Sequence, residues 1–206
     1  ILLALQAGEH RVALAFGDDR GRFFLGAQSG WWSVAQLLQK PTLTINMTEW
    51  MDSYPEKEGY LGLIKHVYSV EQKRYLGLEE AARDFSRHQF DFGYVGRYEL
   101  HENLPEEIEE LVEEHLAGEL PREKTDKQKE WNRVRREEGF CFLRHAAVRE
   151  DACADAQKKY HWGAHIDGCV GALGAKFLER HWTYNQLNGK AAERPAALEA
   201  GVPSES

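Results

Sequence analysis

The residues whose types and spacing could do chemistry stand early in the chain, at Gly26-x-x-Ser29-Gly30. They lie between the apolar run Phe23-Phe24-Leu25 and the segment Trp31-Trp32-Ser33-Val34-Ala35-Gln36-Leu37-Leu38. A small-residue turn at the start of a helix offers backbone N–H groups that have no partner within the helix. It also offers the positive end of the helix dipole, and together these suit a phosphate. The same pattern also describes an ordinary helix cap. No Gly-Lys-Ser/Thr follows, so the turn is not a P-loop, and the glycine spacing is wrong for a dinucleotide fingerprint. Gly26 stands three places before Ser29 and not two, so there is no nucleophile elbow either.

The elements around the turn are expected to position it. Phe23 to Gly26 reads as a buried strand. Trp31 to Gln39 reads as a helix, apolar on nearly every side and therefore packed into the domain, and Pro41 ends it. Thr42 to Asn46, with Leu43 and Ile45 alternating with threonines, reads as the next strand. This is one α/β unit, and ligands of parallel sheets bind at the carboxyl ends of strands.

Further along, Tyr60 to Tyr68 is a strand candidate, Leu78 to Phe85 a short helix led in by Gly77, and Tyr98 to Glu102 a short strand. Asn103 reads as the N-cap of a helix with Pro105 in its first turn and Glu106 placed to return to the cap. In that helix Ile108, Leu111, Val112 and Leu116 form an apolar stripe, and Gly118 closes it. From Arg122 to Glu138 twelve of seventeen residues are charged, which predicts a solvated surface helix anchored by Trp131 and Val134. Gly139 to Arg144 reads as a strand, and Val170, Leu173, Phe177, Leu178 and Trp182 as one face of a last helix. At the start, Ile1 to Leu5 is apolar and His10 to Phe16 reads as a strand or a helix end.

The expected fold class is α/β. Strands near 23–26, 42–46, 61–65 and 98–101 form a Rossmann-like parallel sheet with flanking helices 31–39 and 105–117. A helical C-terminal tail crosses back over it. The expected division is an α/β domain over 1–118, a helical extension over 119–188 and a disordered tail over 189–206.

Other reactive residues have plainer readings. His161-Trp162-Gly163-Ala164-His165 has the i, i+4 histidine spacing of a metal face, with Asp167, Cys169, Cys153 and His145 nearby. No glutamate follows His161, and Gly163 weakens the helix, so these are read as surface or packing histidines and no metal is expected. The carboxylate pairs Asp18-Asp19, Glu79-Glu80 and Glu106-Glu107 read as turn, first-turn or surface charges, not as an acid/base pair.

A formal net charge of −8 over 206 residues argues against a nonspecific nucleic-acid binder. No apolar run approaches the ~20 residues of a membrane span. Three cysteines without C-x-x-C spacing fit a reduced, cytoplasmic protein. The chain begins at Ile1 without a basic leader, and upstream sequence is expected to be missing.

The order Phe23-Phe24-Leu25-Gly26-Ala27-Gln28-Ser29-Gly30, then Val34-Ala35-Gln36-Leu37-Leu38-Gln39-Lys40-Pro41-Thr42-Leu43-Thr44-Ile45-Asn46, resembles the carboxyl-terminal half of a family of bacterial glycosyltransferases. That family has a GT-B-type fold and is found in polysaccharide-related contexts. Leu63-Ile64-Lys65 with Tyr68-Ser69, Arg74-Tyr75-Leu76 with Glu79-Glu80, and Tyr98 through Ile108 follow in the family's order, with a weaker match at Ile166, Gly168 and Lys176-Phe177-Leu178. The likeness covers residues 20 to 182. Gln28, Trp31 and Trp32 depart from it by filling places where smaller residues belong.

The resemblance implies a nucleotide-sugar donor held by its diphosphate at Ser29, Gly30 and Trp31, within a set that also includes Gly26, Gln28, Ser33, Asn46 and Lys65. It implies a glycan acceptor, no cofactor, and an amino-terminal domain upstream that carries the catalytic base, so no catalytic residue is named here. Two other readings stay open: a nucleotide-sugar epimerase-like enzyme of the same architecture, and a noncatalytic α/β module whose apolar edge and tryptophans dock a partner.

Overall fold

The computed structural model describes residues 2–7, 10–15, 23–27, 30–48, 54–85, 95–117, 123–135 and 169–191. Strands β3 (Phe24–Gly26), β4 (Thr42–Met47), β5 (Leu61–Ile64) and β9 (Ala172–Leu173) form a parallel sheet in the order β3-β4-β5-β9. Helix α1 (Gly30–Leu37) makes the β3-to-β4 crossover. The expected parallel α/β unit is therefore present. Preceding it, β1 (Leu2–Ala7) and β2 (His10–Ala15) pair as an antiparallel ribbon.

Side-chain alternation gives the sheet two different faces. Leu43, Ile45 and Met47 of β4 point into the main core with Leu61, Leu63, Leu111, Phe177 and Leu178. On the opposite face Phe24 packs with Ala35 and Trp32 of α1, and the Trp32 indole N–H donates to the Thr44 hydroxyl at 3.1 Å. Helix α1 thus covers a small face lined partly by threonines. Two features differ from the sequence reading. The helix ends at Leu37, and Leu38 and Gln39 form a turn in which Gln39 has φ +54°. Its outer side is solvent-facing, with Leu37 82 % exposed and Leu38 57 %. A helix of eight residues laid on one side of a sheet buries only the residues it turns inward.

The strand expected over Tyr60 to Tyr68 is broken at Lys65. β5 lies in the parallel sheet, whereas β6 (His66–Ser69) joins an antiparallel sheet β7-β6-β8 with β7 (Arg74–Tyr75) and β8 (Tyr98–His101). The expected fourth parallel strand at 98–101 is therefore antiparallel to β6 and belongs to the second sheet. The place next to β5 is taken by β9. Helix α2 (Leu78–Asp84) follows β7 and buries Leu78, Ala81 and Ala82.

Helix α3 (Pro105–Ala117) packs on the main core through Leu111, with Ile108 and Val112 beside it, while Leu116 is exposed. The carboxyl-terminal part is not purely helical, because it supplies β9 as well as α5 (Ala175–His181) and α6 (Leu187–Ala191). Helix α6 also runs three residues past the boundary expected at 188. The remainder of the expected tail, and the strand expected over 139–144, lie outside the described residues.

Residues 126–135 are helical (α4), with Asp126, Lys127, Lys129 and Arg133 exposed as their charge suggests, but the inward face is more polar than expected. Trp131 is fully buried, and Gln128, Asn132 and Arg135 are buried beside it. Thr125 and Gln128 form a capping box, each side chain accepting from the other's amide. The buried polar side chains then meet a line of carbonyls: Gln128 donates to Leu173 O, Asn132 to Gly171 O and Arg135 to Cys169 O. The exposed edge of β9 and the residues leading into it is thereby covered. Among the described residues no helix is long and apolar enough to cross a membrane.

The segment after α5 lies against the entry to α2. Glu79 N–H donates to Trp182 O at 3.1 Å. A Cβ placed on Gly77 would meet the Thr183 carbonyl group at 2.7 Å and Trp182 O at 2.8 Å, all backbone atoms. Gly77→Ala should therefore lower the unfolding free energy by about 1–3 kcal/mol, read from urea melts, and an unchanged midpoint would show that this contact is not close in solution.

Candidate functional site

Because β3, β4 and β5 run parallel, their carboxyl ends share one edge of the sheet. Gly26, Asn46 and Lys65 all fall there: at the end of β3, one residue before the end of β4, and just after β5. The elements thus bring three of the expected site residues to one edge. Gly30 is the first residue of α1, and Trp31 follows it in the helix backbone. Ser33 lies on α1 with its side chain exposed. Gln28 and Ser29 lie outside the described residues, as do His145, Cys153, His161, His165 and Asp167; Cys169 is buried.

Asn46 is tightly bound in this edge. It has φ +53°, a left-handed conformation that asparagine tolerates better than most residues. The β4–β5 register shifts between Thr44 and Met47, and the irregularity leaves the Asn46 amide to find a partner outside the sheet. Asn46 N–H donates to Asn103 Oδ1 at 2.7 Å, and Asn103 N–H donates back to Asn46 Oδ1 at 2.6 Å. Asn103 Nδ2 donates to Ile64 O at 2.8 Å. Lys65 N–H donates to Met47 O at 2.9 Å, and no carboxylate of the described residues lies within ion-pair distance of its ammonium.

This use of Asn103 corrects the expected cap. Its carboxamide ties β4 to β5, so the helix begins one residue later. Leu104 occupies the cap position, its carbonyl accepting from Glu107 and Ile108, and Glu107, not Glu106, returns a carboxylate oxygen to the Leu104 N–H at 2.8 Å. Glu107 is also not the surface charge the sequence suggests, being only 3 % exposed. Glu79 and Glu80 do lie in the first turn of α2, paired with Arg83 and Arg74.

The buried Glu107 carboxylate joins three elements. His66 Nε2 lies 2.9 Å from Oε2 and His181 Nε2 lies 2.7 Å from Oε1. Sequence reasoning missed this cluster. Two histidines and a carboxylate whose donor atoms all lie within 4.8 Å of one another also have the composition of a metal site. The proton positions assigned by the partners do not suit one. Gln186 N–H, which can only donate, faces His181 Nδ1 at 3.3 Å. Asn185 Oδ1 accepts from Leu187 N–H, so its Nδ2 faces His66 Nδ1 at 3.1 Å and Leu76 O at 3.3 Å. Both Nδ1 atoms therefore accept, and both Nε2 atoms carry the protons donated to Glu107. Metal-bound histidines instead use one bare nitrogen for the ion and donate from the other.

Burial alone would push the Glu107 carboxyl up, but hydrogen bonds from His181, His66 and the Leu104 amide outweigh it and hold the pKa down to about 2. The folded-state value lies below the ordinary 4.5, so the stabilisation is complete above about pH 4.5 and is lost as the pH falls toward 2. It amounts to about 3 kcal/mol. Urea melts from pH 7 to pH 2 should show that loss, and Glu107→Gln should be less stable at pH 7 but lack this part of the acid dependence. Elemental analysis of protein dialysed against Zn2+ or Fe2+ should find no ion retained by His66 and His181; stoichiometric metal that disappears in His181→Gln would overturn the proton assignment.

No family model, no curated protein and no solved structure matches this chain.

Proposed function

We propose that this chain is the donor-binding half of a glycosyltransferase, taking the diphosphate of a nucleotide sugar at the carboxyl edge of its parallel sheet. The observation that carries the reading is the β3–α1–β4 crossover, with α1 starting at Gly30, four residues beyond the end of β3. In such a crossover the first amides of α1 lie at the edge that also carries Asn46 and Lys65, and a phosphate bound there would meet amide donors, the helix dipole and a cation. The sugar-transfer part of the proposal comes from the family resemblance of residues 20 to 182. In such enzymes a second domain faces the donor and supplies the acceptor site and the base. No metal is needed for the leaving diphosphate, because helix-end amides and side chains stabilise it. The reading goes with a cytoplasmic location, which the cysteine usage also favours.

One observation favours a different class. Val34, Leu37 and Leu38 leave an apolar row exposed on and just after α1, as expected of a noncatalytic module that docks a partner. Ligand binding separates the two readings. Titration calorimetry with UDP, GDP, ADP and CMP should find one preferred nucleotide. Ser29→Ala should weaken it roughly ten- to a hundredfold, the loss of one hydrogen bond to a charged group, and Gly30→Val should weaken it further by blocking approach. Absence of binding to all four, or full binding by both folded variants, would leave the turn a helix cap and favour the docking module.

A further inference from the structure

We infer that Asn103 is the positioning residue of this edge, setting Asn46 and Lys65 toward an acceptor-rich, anionic ligand such as a nucleoside diphosphate; the ligand part of the inference rests on the function proposed above. Asn103 is 6 % exposed. Its N–H, Oδ1 and Nδ2 are all committed, two to Asn46 and one to Ile64 O. It thereby fills the gap that the β4 irregularity opens in the ladder, and it clamps the ends of two adjacent strands.

The consequence for Asn46 is chemical as well as structural. With its Oδ1 accepting from Asn103 N–H, the carboxamide is fixed, and the amide that remains is a pure donor in a half-buried position at the carboxyl edge. Lys65 is fixed from both sides: Asn103 holds the carbonyl of the residue before it, and Glu107 holds the imidazole of the residue after it. Its own N–H is held by Met47 O. The backbone of the one lysine at this junction cannot drift, so its ammonium, which has no ion-pair partner among the described residues, works from a set anchor. A carboxamide N–H and an ammonium on neighbouring strands are both donors, and they match phosphoryl oxygens. The His66–Glu107–His181 cluster supports the arrangement from behind, because Glu107 also binds the amide of Leu104, next to Asn103.

The test uses the full chain with two readouts. Amide exchange followed by NMR reports the bracket without any ligand, and UDP titration reports the edge. Asn103→Ala should speed exchange of the Asn46 amide at least tenfold and weaken UDP ten- to thirtyfold with the circular dichroism spectrum retained. Lys65→Gln should weaken UDP alone, leaving the Asn46 amide protected. If Asn103 acts through the placement of Lys65 and Asn46, the Asn103→Ala/Lys65→Gln double variant should lose clearly less than the product of the two single losses; a general loss of stability would instead give independent, multiplying effects. Should Asn103→Ala fail to fold, Glu107→Gln, one step further back, should show the same pairing of faster Asn46 exchange and weaker UDP. UDP binding left unchanged by a variant whose Asn46 amide has become exposed would overturn the inference while the proposed function stands. No nucleotide binding by the unaltered chain would overturn both, and the Asn103 contacts would then only close the sheet.

Discussion

A single buried carboxylate holds the three parts of this fold in register. Glu107 accepts from His66 on the antiparallel sheet, from His181 at the end of α5 and from the Leu104 amide at the start of its own helix. A carboxylate taken out of water is tolerable only when its lone pairs are met by donors. That requirement dictates the tautomers of both histidines, which in turn dictates that donors, here Asn185 and Gln186, face their other nitrogens. One charge thus propagates order through two shells of polar groups. The rest of α3 repeats the theme at lower stakes, with Glu110 against Arg180 and Glu114 receiving the first amide of α5.

The second organising constraint is the switch of sheets at Lys65. Four residues of β5 are buried on both sides between β4 and β9, and one residue later the chain pairs antiparallel with β8. A strand can leave a sheet only if the groups at the departure point find other partners. Asn103 provides them for Ile64 and Asn46, and Met47 for Lys65. The edge of the parallel sheet is therefore built from side chains of the loop entering α3, not from the strands alone.

How much of this was legible follows from the range of each signal. The β3–α1–β4 unit was readable because its strand, helix and second strand are consecutive in the chain, although the helix ends before the expected proline stop. The break at Lys65 was not, since Tyr60 to Tyr68 has the composition of one uninterrupted strand and its two sets of partners lie far along the chain. A two-residue strand such as β9 carries no periodicity at all. His66, Glu107 and His181 are separated by 41 and 74 positions, so no spacing rule links them. The one local hint was that Glu107 stands three places after Leu104 with Pro105 between them, the arrangement of a capping box. Likewise Thr125-x-x-Gln128 marked the start of α4, but high charge concealed that its polar residues are buried. Of the candidate edge, the strand-end places of Gly26, Asn46 and Lys65 were legible, and Asn103 was not, its capping propensity being overridden by a tertiary partner.

The hydrogen bonds from α4 to Cys169, Gly171 and Leu173 carry a consequence for how this protein can change over time. Donors at positions 128, 132 and 135 span ~10 Å of helix, and carbonyls at 169, 171 and 173 span ~13 Å of extended chain, so the two rulers agree only in this phase. Inserting or deleting one residue between 169 and 173 would put the carbonyls on the two sides of the change out of phase, so the three hydrogen bonds could not form together. The outer surface of α4 tolerates substitution, whereas the length of this short stretch is constrained by the phase of its carbonyls.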